Sequence, residues 1–145
     1  GLGKAAIANA KLAYESFCSM FGSERFKKLQ NKGALVQRPL WASTSTKNPE
    51  YRDVLYIEQL IGPDTVNTIP PATLVAFIDH GNAKDTILSD IAHAQVFFEF
   101  LWDYGINVDE VTAKLLKDGV DAFSKSFEQI LSNLEAKRSI LVPLT

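Results

Sequence analysis

Four hydroxyls and one ammonium follow one another at Ser43, Thr44, Ser45, Thr46 and Lys47, between an apolar run, Leu40 to Ala42, and Asn48-Pro49. Hydroxyls donate hydrogen bonds and an ammonium supplies a compact positive charge, so this grouping suits an oxyanion such as phosphate. Asn48 and Pro49 read as an N-cap and N1 pair, which predicts a helix beginning at Pro49. A buried strand, a loop of hydroxyls with a cation, and a helix N-terminus whose dipole favours negative charge together form a phosphate site of the α/β type. Lys47 is the candidate charge, against a solvated loop lysine as the plain alternative. Ser43 follows the strand directly and is the first candidate hydroxyl; Ser45 is the second by alternation. Lys47 as an imine-forming nucleophile fits less well. Its neighbours Thr46 and Asn48 are polar, and such a lysine needs desolvation or a nearby cation to lower its pKa.

The remaining chemistry-bearing residues are sparse. The two histidines, His80 and His93, are isolated from each other and from clustered carboxylates, a poor basis for a metal site. His80 precedes Gly81 and reads as a helix C-terminal residue, favoured there by the dipole. Cys18 is the one cysteine. It excludes an internal disulfide, fits a reducing compartment, and is expected to be a small buried residue. The aromatic series Phe97, Phe98, Phe100, Leu101, Trp102, Tyr104 reads as core and interface rather than as a ligand stripe.

The elements that position these residues are mostly helical. Ala6, Ile7, Ala10, Ala13, Tyr14, Phe17, Met20 and Phe21 recur at helical spacing over residues 3–21. Ser23 caps a short second helix stopped by Gly33. Within residues 35–43 Pro39 removes a backbone donor, so only Leu40 to Ala42 suits a central strand. The alternative is coil laid over a helix. A helix from Pro49 carries Tyr51, Val54, Leu55, Leu60 and Ile61. Thr65 to Ile69 is a second short strand, and Pro70-Pro71 opens a helix ending at Gly81. Further helices are predicted over residues 90–104, 109–117 and 120–138, the last two divided at Gly119. Strand–helix–strand–helix order predicts parallel strands with a crossover. Two such strands do not make a sheet, because parallel strands are buried among several neighbours.

Length and composition bound the function. The 145 residues suit one domain, with 46% hydrophobic and 22% charged residues and a net charge of −2. That charge offers no basic stripe for nucleic acid. No apolar run approaches the roughly 18 to 20 residues of a membrane span. The opening residues lack a basic stretch followed by a continuous apolar run, so no signal peptide is expected. The chain starts without methionine and passes at once into a helical pattern, as a chain cut from a longer one, or one with a removed tag or processed start, would.

The run Gln37-Arg38-Pro39-Leu40-Trp41-Ala42-Ser43-Thr44-Ser45-Thr46-Lys47-Asn48-Pro49 resembles the transaldolase family, in its longer-chain bacterial and plant-type subgroup. Gly62-Pro63-Asp64-Thr65-Val66-Asn67-Thr68-Ile69-Pro70 resembles the same subgroup. So do Gly3-Lys4-Ala5-Ala6, Phe77-Ile78-Asp79-His80-Gly81 and Gly119-Val120-Asp121-Ala122-Phe123. The resemblance runs in order over almost the whole chain. It implies a (β/α)8 TIM barrel, which typically needs about 250 residues. The expected fold class is therefore α/β, with residues 1–145 as a single partial domain. They would form the C-terminal part of the barrel: strands seven (36–43) and eight (64–68) plus mostly helices.

The resemblance implies transfer of a dihydroxyacetone unit between sugar phosphates through a lysine Schiff base, with no metal or organic cofactor. It places that lysine and the acid/base carboxylates on strands four, one and three, ahead of Gly1. No catalytic residue is then expected here, and the chain alone is expected to be inactive. What remains is phosphate binding. Ala42-Ser43 and Lys47-Asn48 match the family's Ala-Ser and basic-Asn pairs, so Lys47, Ser43 and Ser45 are the expected substrate-phosphate residues. Lysine replaces the arginine usual in shorter members, and extra residues separate serine from cation. The expected partners are sugar-phosphate substrates and either the missing N-terminal part of the barrel or a second copy, with no nucleic acid and no membrane. The compartment is expected to be the cytoplasm, with a plastid still open. The alternative function is a non-catalytic helical fragment that interacts or self-associates.

Overall fold

The computed structural model describes residues 3–141. Two compact units divide between Phe100 and Leu101.

The first unit opens with α1 (Lys4–Phe21) and α2 (Glu24–Gln30). The inward stripe of α1 runs through Ile7, Ala8, Lys11, Tyr14 and Phe17, whereas Ala6, Ala13 and Met20 face out. Burial of a lysine at the centre of an apolar stripe is what hydrophobic spacing misses. Ser23 caps α2 as expected: its Oγ accepts from Phe26 N at 3.2 Å and donates to Met20 O at 2.7 Å. Phe21 and Phe26 pack edge-on across the joint, centroids 4.6 Å apart. Cys18 is exposed, not buried as expected. It stands one turn beyond Tyr14 near the C-terminal end of α1, and its small size and thiol do not oblige it inward.

The two strands form as a parallel pair, β1 (Leu40–Trp41) beside β2 (Val66–Asn67), in the register Leu40 to Val66 and Trp41 to Asn67. Val66 N donates to Pro39 O at 2.9 Å and Thr68 N to Trp41 O at 3.0 Å. Each strand is two residues long, shorter than the sequence suggests, because a two-stranded ladder has no outer neighbours to extend it. Leu40 is 53% exposed on this pair.

The expected helix at Pro49 does not form. Asn48 Oδ1 accepts from Glu50 N at 3.0 Å and Tyr51 N donates to Asn48 O, which closes a turn instead. The helix of this crossover, α3 (Leu55–Gln59), starts later and has five residues. It anchors its surroundings through Glu58. That carboxylate takes the Arg52 guanidinium fork at 2.8 and 3.2 Å and Asn82 N at 3.0 Å. The Glu58 carbonyl accepts from Thr86 Oγ1. The helix α4 (Pro71–His80) begins on Pro70-Pro71 as predicted. Of its apolar residues, Leu74, Val75 and Ile78 are exposed.

The core of this unit gathers Tyr14, Leu60 and Ile87, packed by Ile7, Ala10, Phe17 and Trp41. Ile87 and Val54 have no exposed surface. Gly62 permits the Ile87 contact: a Cβ there would fall 2.1 Å from Ile87 Cγ2. The helix α5 (Ile91–Asp103) buries only Ala94, and Trp102 and Tyr104 are exposed, so the aromatic series is not core within this chain.

The second unit is dominated by α6 (Val108–Leu141), one continuous helix of 34 residues where two were expected. Gly119 does not end it, because intact i to i−4 bonding on both sides outweighs the roughly 1 kcal/mol helix cost of one glycine. Asn107 caps it, its Oδ1 accepting from Asp109 N at 3.0 Å and Glu110 N at 3.3 Å. Leu116, Val120, Phe123, Phe127, Ile130 and Leu134 recur in alternating steps of four and three, and all are exposed.

Candidate functional site

The loop that leaves β1 turns sharply at Ser43, whose φ is +57°. Two other non-glycine residues share this left-handed region, Asp64 and Asp90, and aspartate visits it more readily than serine does. The next residue explains how Ser43 is held. Thr44 is buried, and its Oγ1 donates to Asn67 Oδ1 at 2.8 Å. Asn67 is the last residue of β2 and the register partner of Trp41. The C-terminal ends of the two parallel strands are thus joined side chain to side chain. In α/β proteins this is the end at which ligands bind.

The expected site residues are distributed unevenly around this joint. Ser43 is exposed beside it, Ser45 is half-buried one residue beyond Thr44, and Lys47 is exposed further along the loop. The helix N-terminus expected at Pro49 is replaced by a turn, and the dipole contribution expected from it falls away. The loop's buried hydroxyl belongs to Thr44 rather than to Ser43 or Ser45, the two preferred candidates. Asn67 was missed. The available signal was an amide side chain inside the β-branched run Thr65 to Ile69, at the end where a parallel strand meets ligand.

Other titratable groups lie away from this loop. A cleft of about 690 Å³ is bordered by Lys4, Ile7, Lys11, Asp90, His93 and Phe97 among others, and none of Ser43, Ser45 and Lys47 lines it. Lys11 is buried at its edge and donates to Thr86 O at 3.0 Å and Ser89 O at 2.7 Å. Burial lowers the Lys11 pKa, and the nearby Asp90 carboxylate works in the opposite direction. Its ammonium is occupied by two backbone carbonyls, so it fastens residues 86–89 to α1 rather than acting on a ligand. Tyr14 donates to Pro63 O at 3.0 Å, and burial, then Cys18 and the carboxylates of Asp85 and Asp64, push its phenol up to about 12. His80 bridges two carboxylates, Nε2 to Asp53 at 2.9 Å and Nδ1 to Asp79 at 3.1 Å. Those hydrogen bonds raise its pKa, and His80 in turn holds Asp53 low. Among the described residues no three His, Cys, Asp or Glu side chains are placed to hold a metal ion. No helix among them is long and apolar enough to cross a membrane.

Residues 2–134 match the family model described as Transaldolase/Fructose-6-phosphate aldolase. The chain belongs to the transaldolase/fructose-6-phosphate aldolase family. It is 51% identical over 144 residues to a protein named Transaldolase 2 from Nostoc punctiforme, covering 98% of this chain and 38% of that relative. It is 46% identical over 144 residues to a transaldolase from Trichodesmium erythraeum, again covering 98% of this chain and 38% of the relative. A transaldolase from Mycolicibacterium smegmatis is 49% identical over 130 residues, 89% of this chain and 35% of the relative. The chain therefore spans a little over a third of the length of these relatives. Transaldolase family membership implies a TIM barrel, and a helix-rich chain with one parallel strand pair among its described residues holds part of one.

Proposed function

We propose that this chain is the C-terminal part of a transaldolase, supplying barrel strands seven and eight and the grip on substrate phosphate. The whole enzyme would transfer a dihydroxyacetone unit between sugar phosphates through a lysine Schiff base, in the pentose phosphate pathway of the cytoplasm or a plastid. The Schiff-base lysine and acid/base carboxylates would belong to the remaining six strands. One observation carries the reading: relatives named transaldolase match almost this entire chain, which nonetheless holds only one parallel pair among its described residues, with hydroxyls and a lysine at its C-terminal end. Ser43, Ser45 and Lys47 are the proposed phosphate residues. Lysine would act there as a point charge rather than a bidentate fork.

Intact and native mass of the purified chain, with transaldolase activity assayed on the same sample, tests this. The chain alone should be inactive, and activity should appear with a polypeptide carrying the remaining strands. In the completed enzyme Lys47→Ala should raise KM for phosphorylated substrates about tenfold and leave kcat nearly unchanged. A drop in kcat with KM unchanged would remove Lys47 from the phosphate site.

A second reading, a helical fragment that self-associates, is favoured by the exposed apolar stripe of α6. Amphipathic helices bury such stripes against a partner. Under that reading the native mass is a multiple of the chain mass, and no complementary polypeptide restores activity.

A further inference from the structure

We infer that Asn67 is a phosphate ligand of this site, a neutral donor aimed by Thr44. The inference rests on the phosphate-binding reading of the 43–47 loop. Thr44 Oγ1 donates to Asn67 Oδ1, so the carbonyl end of the amide is spent on the loop. The two Nδ2 hydrogens find no acceptor among the described residues, although Asn67 is half-buried at the end of a strand. That nitrogen is not enclosed by protein, so it stays open to solvent and to a ligand.

Its position agrees with this. Asn67 ends β2, and Thr44 follows β1 by three residues, so their hydrogen bond spans the C-terminal ends of two adjacent parallel strands. In barrels, phosphate is held between the loops after strands seven and eight. Thr44 is flanked directly in sequence by Ser43 and Ser45, so the residue that holds the amide sits between the two candidate hydroxyl residues. Ser43 is held in the left-handed region beside a buried anchor, a conformation that persists where the surroundings over-determine it. A neutral donor also complements Lys47. The ammonium supplies charge from a flexible, exposed stem, whereas the amide supplies a fixed direction. Thr44 is accordingly a positioning residue and Asn67 a ligand.

Titration of the 15N-labelled 145-residue chain with inorganic phosphate tests both roles. The Asn67 side-chain amide resonances should move together with the backbone amides of Ser43 and Ser45 and fit one dissociation constant. Asn67→Ala should weaken phosphate binding roughly tenfold, the loss of one hydrogen bond to a charged group. Asn67→Asp should weaken it further, because the carboxylate repels the anion while keeping the shape. Thr44→Ser should retain binding, whereas Thr44→Val should weaken it; the double variant Thr44→Val/Asn67→Ala should bind no worse than Asn67→Ala alone. If Lys47→Ala weakens phosphate while Asn67→Ala does not, the inference is overturned and the phosphate loop stands. If neither substitution matters and no loop resonance moves, the phosphate loop and this inference fall together.

Discussion

The two units of this chain are built on opposite terms. Every buried residue among those described lies before Leu101, in a unit whose core gathers α1, β1 and the segments flanking α3. After Phe100 no described residue is buried, and α6 presents its apolar stripe outward. Polar contacts divide the same way. Lys11, Tyr14 and Thr86 make hydrogen bonds to carbonyls 28 to 78 residues distant in sequence. The ion pairs of α6 are all three or four residues apart, Lys114 to Asp118, Lys117 to Asp121 and Arg138 to Glu135. One unit holds its own tertiary structure; the other carries helical structure whose apolar face awaits cover.

The sharpest way to break this comparison is one kind of truncation made in both places. Ile87 has no exposed surface, so Ile87→Ala leaves a cavity and should cost about 2 to 5 kcal/mol. Phe127 is 62% exposed, so Phe127→Ala should change stability by less than about 0.5 kcal/mol in the unassociated chain. Urea unfolding followed by Trp41 fluorescence, in a Trp102→Phe background, reads the first unit alone, since these are the two tryptophans. Amide hydrogen exchange along α6 reads the second. A large cost at Phe127 would show that α6 is already covered, and the contrast would fail.

A smaller effect, but one of opposite sign, comes from the glycines. Gly62→Ala places a methyl 2.1 Å from Ile87 Cγ2 and 3.0 Å from its Cβ, so the core must shift; the expected cost is about 1 to 3 kcal/mol. Gly119 sits within α6 with nothing within 4 Å of where a Cβ would stand, so Gly119→Ala should stabilise the helix by about 0.5 to 1 kcal/mol. Thermal unfolding by circular dichroism measures both. A loss of stability at Gly119 would mean that another helix or chain approaches α6 closely there.

Sequence reading succeeded where one local cause decided the outcome. Ser23 as N-cap, Pro71 at the first turn of α4 and the parallel order of two strands all follow from short-range chemistry. It failed where two local signals competed. Asn48-Pro49 can start a helix or close a turn, and the turn formed. Gly119 can stop a helix or be absorbed in one, and the long apolar stripe prevailed. In the candidate site the loop was legible as a string of hydroxyls, but its anchoring was not. That Thr44 faces inward, and that it finds Asn67, depends on the register of two strands separated by the whole crossover. Lys11 was illegible for the same reason, since its acceptors Thr86 and Ser89 come from a distant segment.

The smallest expected effect is electrostatic, and it too separates the units. Both His80 ring nitrogens face carboxylates, Asp53 and Asp79, and only the imidazolium can donate to both at once; Asp53 lies 27 residues away in sequence. The His80 pKa is raised by those two partners, so its contribution is complete below the ordinary value of about 6.5 and is lost as pH rises through the raised folded value. The Asp53 pKa is lowered by His80, so that carboxylate contributes above its ordinary value and loses the contribution as pH falls through the lowered one. The clamp between the segment before α3 and the end of α4 is thus intact between these limits and opens on either side. Proton NMR of the His80 ring should give a midpoint above 6.5, and Asp53→Asn should bring it down. Both side chains are solvent-exposed, so added salt should shrink the shift. A midpoint at or below 6.5, or one indifferent to Asp53→Asn, would leave the first unit with no charge-borne link between its segments here.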